Sequence, residues 1–266
     1  SDWGALPQLW AGKGRPVITF DARGLGQSKR LASSSLIEPV PLTAETMAAD
    51  VMSIYESYAK SLPTSVPKAD VMGVSMGGMV ALSFAHLYPD QTSSCVLGCT
   101  TVGGSKASPP EYPPSDPTFF GVFDEWKNDA SLEDEALARS FLSKVLPDSR
   151  GKASLLDRMT ARFVASRLEH GGTNEGILNQ LPALKKFDGA AMLETLKART
   201  LIIHAEDDGV VPFGNLGVMK RIKPDAQTHV FKDGGHFFFV GQGLRTVEAV
   251  DAFLGPANED PPPQPK

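Results

Sequence analysis

The stretch "ADVMGVSMGGMVALSFAHLYP", residues 69 to 89, constrains the fold more than any other part of this chain. A short apolar run ends at Val74, and a helical pattern begins at once beyond Ser75 and stops near Pro89. A strand that enters a helix through so tight a turn brings the two backbones almost into contact. Glycines at 73 and 77 remove the side chains that would clash there, and Gly78 extends that tolerance.

The same alternation recurs along the chain. "RPVITFDARG" reads as a buried strand over Val17, Ile18, Thr19 and Phe20, and "SSCVLGCTTV", "RTLIIHAEDD" and "AQTHVFKD" as further strands. Helices are expected over "TAETMAADVMSIYESYAKSL", with Met47, Val51, Ile54, Tyr55 and Tyr58 on one stripe, around Asn215 to Ile222, and over "LRTVEAVDAFL", with Val247, Val250 and Phe253 or Leu254 inward. Strands separated by helices require crossovers, so the fold class is α/β, a mostly parallel sheet flanked by helices. From 104 to 192 no convincing strand occurs. A Pro-rich entry leads to amphipathic helices burying Leu137, Phe141 and Val145, then Leu155, Met159 and Phe163, the first opened by a capping box of Ser131 with Asp134. The segment reads as a helical lid between two parts of the core, 1–103 and 193–255, at the sheet edge where α/β sites lie. Residues 256–266, "PANEDPPPQPK", form a Pro-rich tail too polar to pack.

A formal charge of -5 leaves no electrostatic footprint for nucleic acid or an anionic membrane, and no apolar run approaches the roughly 20 residues of a bilayer span. Cys95 and Cys99, four apart on one expected strand, would share a face about 13 Å apart, too far for a disulfide. They read as buried thiols and fit a reducing compartment. None of the five histidines has metal-ligand spacing with carboxylates, so neither metal nor cofactor is expected.

Ser75 therefore sits where a reactive serine would be displayed, at a sharp strand-to-helix turn. "FDARGLGQS", "GVSMGG" and "HAEDDGVVP…GGH", in that order, resemble the α/β-hydrolase superfamily, in the branch of serine esterases, enol-lactone hydrolases and cofactor-free haloperoxidases. The resemblance covers nearly the whole chain and is loosest in the lid. It implies Ser75 as nucleophile, with the acid and then the histidine each following a later strand. The family's catalytic carboxylate lies four residues before the proline, which falls on Asp208 in preference to Asp207; Glu206 and Asp207 are expected to be solvated or structural. His236, after two glycines, is implied as the base, while His204 matches a position where the family often has a structural histidine. Ala205 stands where glycine is common. The backbone N–H of Met76 is implied as one oxyanion donor.

The resemblance makes "DARGLGQS" a structural or pocket-lining loop; as a dinucleotide loop it lacks the third glycine, Ser28 standing there. The second oxyanion donor would come from a loop ahead of Trp3, so the first strands and that loop are expected to lie outside the chain as given, or to be lacking in the protein. The expected activity is hydrolysis of a small carboxylic ester, thioester or lactone, with perhydrolysis or carbon–carbon hydrolysis on the same triad as alternatives. Phe119, Phe120, Phe123, Trp126 and Phe237 are candidates for an apolar pocket. A rival expectation is a non-catalytic subunit whose open sheet edge a protein partner covers.

Overall fold

Four short runs rich in Val, Ile, Leu and Thr pair into one parallel sheet: β1 (Ala69–Val74), β2 (Thr92–Gly98), β3 (Arg199–Ala205) and β4 (Gln227–Phe231), in spatial order β1-β2-β3-β4. The computed structural model describes residues 3–28, 42–61, 68–103, 121, 134–146, 152–170 and 178–256. At the carboxyl end β1 and β2 stop together, Val74 opposite Gly98 and Gly98 opposite Ile203, while β3 and β4 continue to Ala205 opposite Phe231. Parallel strands need covered faces, and successive side chains alternate between them. On one face Cys95, Leu97 and Ile202 pack with Met79, Leu82 and Ala85 of α3 (Met76–Leu87). On the other, Val96, Leu201, Ile203 and Phe231 pack with Leu6 and Trp10 of α1 (Leu6–Ala11) and with Val247, Val250 and Phe253 of the closing helix, Gly243–Leu254. Phe253, rather than Leu254, is the fully buried residue at that last turn. Helix α2 (Ala44–Ser61) lies against α3 through a stripe in which Ala44, Met47 and Ala48 are buried.

Between β2 and β3 come α4 (Asp134–Val145), α5 (Lys152–His170), α6 (Leu181–Lys186) and α7 (Ala190–Glu194). Leu137, Leu142 and Val145 are buried, with Phe141, Leu155, Met159 and Phe163 half-buried against them, and the cluster continues into Val210, Val211 and Phe237 beyond the sheet strands. Ser131, the expected cap of the helix that opens at Asp134, and the tail beyond 256 lie outside what the structure describes. Helix α8 (Gly214–Ile222) links β3 to β4, and α9 (Phe238–Gly241) precedes the closing helix, α10.

Three expectations are corrected. Residues 15–22 join no ladder, and Val17, Ile18 and Phe20 are 38%, 42% and 45% exposed. A β-rich run becomes a strand only where a neighbour offers a complementary edge, and no described strand flanks this one. Beyond it Gly24 and Gly26 have φ of 83° and 50°, and the Asp21 carboxylate accepts the Gln27 N–H at 2.9 Å, which makes "DARGLGQ" a self-bonded turn. Second, Cys99 does not share a face with Cys95. Strand β2 ends at Gly98, and at φ 39° the Cys99 backbone leaves the strand conformation, which breaks the alternation and puts it in the Val96 cluster. Both thiols are free and buried.

The third correction concerns the glycines. A Cβ at Gly73 would collide with the Gly77 carbonyl, as the tight turn requires, but a Cβ at Gly77 meets no described atom within 4 Å. The crowded partner is Gly78, whose Cβ would lie 2.7 Å from Thr100. Gly73→Ala and Gly78→Ala should each cost more than about 2 kcal/mol of stability, because backbone or a buried Thr100 must move. Gly77→Ala should change stability by no more than about 1 kcal/mol, the helix-propensity gain of alanine working in its favour. Urea titrations of the three variants check that ranking.

Candidate active site

The turn after β1 holds Ser75 at φ 56° and ψ -125°, a left-handed conformation costly for a residue with a side chain. Backbone bonds keep it there. Its N–H donates to the Gly98 carbonyl at 2.9 Å, and its carbonyl accepts from the Thr100 hydroxyl at 2.7 Å and the Gly78 N–H at 2.9 Å. Serine at such a position ordinarily caps the helix through its hydroxyl. Here the hydroxyl makes no cap bond. Met76 is the first residue of α3, so its N–H belongs to the four that have no acceptor within the helix.

Two strands away, the loop after β3 buries Asp208 to 6% exposure. One oxygen accepts the Val210 and Val211 N–H groups at 2.8 and 3.0 Å, and the two oxygens lie 3.1 and 2.9 Å from Nδ1 of His236. Burial alone would raise the carboxyl pKa. The His236 charge and these hydrogen bonds outweigh it, and the carboxyl is held below the usual carboxylate range. His236, 1% exposed, stands in the loop after β4 and stacks on Phe237 with centroids 5.6 Å apart. In the neutral ring, Nδ1–H donates to the carboxylate and Nε2 carries the lone pair. Phe238 brings this loop toward Ser75: a Cβ placed on Gly98 would touch both Phe238 and Val74. Ser75, Asp208 and His236 thus each follow the carboxyl end of a parallel strand, β1, β3 and β4, at one edge of the sheet.

Phe237 is half-buried, 6.1 Å from the ring of Phe141 on α4, and its N–H donates to the Val145 carbonyl at 2.9 Å. The helical segment between β2 and β3 is therefore bonded to the histidine loop. Phe119, Phe120, Phe123 and Trp126 lie outside the described residues.

His204, fully buried in β3, places Nδ1 3.9 Å from an Asp208 oxygen and 3.8 Å from the Cys99 sulfur. These three residues keep their donor atoms within 4.8 Å of one another, a grouping the sequence hides because Cys99 and His204 are 105 positions apart. The donors are already engaged: Asp208 with His236 and two N–H groups, His204 Nδ1 with the Ala205 N–H at 3.1 Å. Burial, reinforced by Asp208, pushes the Cys99 thiol well above its ordinary pKa, and burial alone lifts Cys95 to about 12. Asp207, expected to be solvated or structural, is exposed and bonds backbone. Its Oδ1 accepts the N–H groups of Gly234 and Gly235, at 2.9 and 2.8 Å, just ahead of His236. Glu206 is exposed.

The family model for the alpha/beta hydrolase fold matches residues 2–241. The chain belongs to the α/β-hydrolase family. Among curated proteins, a Caulobacter segnis protein assigned as the carbamate hydrolase RutD is 28% identical over 256 residues, covering 94% of this chain and 83% of that one. The poly(3-hydroxyalkanoate) depolymerase of Ectopseudomonas oleovorans is 25% identical over 238 residues, covering 90% and 74%. Among solved structures, a bromoperoxidase from Bacillus anthracis superposes with a TM-score of 0.75 at 23% identity, over 95% of this chain and 86% of that chain. No described helix of this hydrolase is long and apolar enough to cross a membrane.

The buried groups fix how the α/β hydrolase responds to acid. Burial lowers the His204 pKa despite the attraction of Asp208, and burial with Arg245 lowers that of His229. Once unfolded, these imidazoles regain the ordinary value of 6.5, so below it the unfolded state binds more protons and stability declines as pH falls. Asp208 adds the same sign lower down: its stabilisation is complete above 3.8 and is lost as pH falls through its depressed native pKa. Tm measured by circular dichroism should therefore fall between pH 6.5 and about pH 5, and His204→Gln should flatten that decline. An unchanged slope in the variant would contradict the assignment.

Proposed function

We propose that this α/β hydrolase cleaves a small carboxylic ester, thioester or lactone with Ser75 as nucleophile, His236 as base and Asp208 as the acid of a triad. The observation that carries the reading is the buried Asp208–His236 pair, 2.9 Å apart, at the same sheet edge as a serine held left-handed with its hydroxyl kept out of the helix cap. Serine is a weak nucleophile until a base takes its proton. In this scheme His236 Nε2 accepts the Ser75 proton as Oγ attacks the carbonyl carbon, and Asp208 stabilises the imidazolium through Nδ1–H. The Met76 N–H, at the positive end of α3, stabilises the oxyanion. His236 then protonates the departing alkoxide or thiolate. Water, deprotonated by His236, attacks the acyl-enzyme, releases the carboxylic acid and restores the Ser75 hydroxyl.

Residues 104–192 serve in this reading as a lid between core segments 1–103 and 193–255. Support comes from the contact of Phe141 with Phe237 and from the apolar Leu142, Val210 and Val211 in the same cluster, surroundings that favour an uncharged acyl group. The names of the relatives fit attack at a carbonyl carbon, those of the depolymerase and of a 2-hydroxymuconate semialdehyde hydrolase among them, the latter keeping carbon–carbon cleavage as an alternative on the same residues. The exposed Val17, Ile18 and Phe20 favour a second reading, a subunit whose partner covers that face.

Turnover of p-nitrophenyl butyrate and labelling by a fluorophosphonate probe test the proposal. Ser75→Ala should abolish labelling and lower kcat by at least about 10³-fold, and His236→Ala should do the same, since triad members act as a unit. Turnover that survives Ser75→Ala would refute the scheme, and a folded protein with neither turnover nor label would favour the subunit.

A further inference from the structure

We infer that Asp207 is a positioning residue that holds His236 in register with Asp208, an inference that rests on the triad reading above. Positions 207 and 208 are adjacent carboxylates on one loop, yet they take different partners on the facing loop. Asp208 engages the imidazole of His236, whereas Asp207 Oδ1 accepts the backbone N–H groups of Gly234 and Gly235. Those two glycines are buried, so their donors need an acceptor inside the protein, and the carboxylate of Asp207 supplies it for both. Gly235 has φ of 61°, which leaves its peptide no strand or helix ladder to join. Gly234 cannot move inward, because a Cβ there would lie 2.8 Å from that of Phe238. The backbone entering His236 is thus held on one side by a charge-assisted pair of hydrogen bonds and on the other by the Phe237 N–H to the Val145 carbonyl.

The consequence is specific to the chemistry. Asp208 fixes the direction of the ring, but the placement of Nε2 relative to Ser75 also depends on where the His236 backbone lies. Release of the Gly234 and Gly235 N–H groups lets that backbone relax by a fraction of an ångström without disturbing the surface that receives the substrate. A displacement of that order near reacting groups costs about 10- to 100-fold in rate.

The test compares wild type, Asp207→Ala, Asp207→Asn and Ser75→Ala, each first shown to be folded by circular dichroism, for kcat and KM on p-nitrophenyl butyrate. Asp207→Ala should lower kcat about 10- to 100-fold with KM changed less than about twofold. Asp207→Asn, whose amide oxygen can accept the same two N–H groups, should recover most of the loss. A merely structural contribution would lower the stability of Asp207→Ala and leave kcat of the folded variant at the wild-type value. Should Asp207→Ala not fold, the near-isosteric Asp207→Leu replaces it, and failure of both to fold while Asp207→Asn folds and turns over at the wild-type rate assigns Asp207 to folding and overturns the inference. Wild-type kcat in a folded Asp207→Ala also overturns it. Wild-type turnover in Ser75→Ala would instead refute the triad reading, so the two failures are distinguishable.

Discussion

A carboxylate buried as deeply as Asp208 governs how the rest of this edge of the molecule can be built. Removal of such a charge from water costs several kcal/mol, and only close, well-directed partners repay it. Asp208 has them in the Val210 and Val211 N–H groups and in the His236 imidazole. Each partner imposes a condition. The two N–H groups require the chain after β3 to wrap around the carboxylate, which carries Val210 and Val211 under the helical segment. The imidazole requires the loop after β4 to reach back across the strand ends. The outcome is a carboxyl held below its usual pKa in surroundings that would by themselves raise it.

Strain is placed at the same edge. Among the described residues, the non-glycine positions with positive φ are Ser75 and Cys99, each just beyond the last residue of a central or neighbouring strand. They are linked: Ser75 N–H bonds the Gly98 carbonyl, Cys99 N–H bonds the Ile203 carbonyl at 2.8 Å, and Thr100 returns its hydroxyl to the Ser75 carbonyl. Backbone conformations of this cost persist only where surrounding bonds over-determine them. The chain β1–β2–β3 therefore supports Ser75 through its ladder ends, and the packing of Thr100 on Gly78 completes that support.

The central part of this arrangement is legible in the sequence because it is local. Strand β2, strand β3 and helix α3 show in short windows, since apolar runs buried on both faces and a glycine-flanked turn leave direct compositional marks. Residues 17–20 have the same composition and are not a strand, because strand formation depends on a neighbouring edge that no window contains. Cys99 follows the alternation on paper and departs from it in space, because its φ is set by what packs around Gly98 and Ile203. Gly77 and Gly78 are equivalent in a motif, whereas Thr100, 22 residues beyond Gly78, decides which of them is crowded. Asp208 and His236 follow from the order that the family resemblance implies, and the structure brings them into contact. Asp207 carried no comparable mark, since its acceptor role exists only once Gly234 and Gly235 have been folded against it.

The pair Asp207–Asp208 shows how one dipeptide can serve a ring and a backbone together. The two adjacent carboxylates divide their partners. Asp208 faces the imidazole and two amide dipoles in the interior, while Asp207 stays exposed, its charge screened by water, and sends one oxygen to the glycine amides. Exchange of the two roles would be unfavourable. The glycine N–H groups could not stabilise a buried charge as an imidazolium does, and an exposed partner would leave the His236 ring solvated and less well oriented. The order of the two residues along the chain thus follows from which side of the loop faces the core, and the side chain that points inward is the one able to stabilise positive charge on His236.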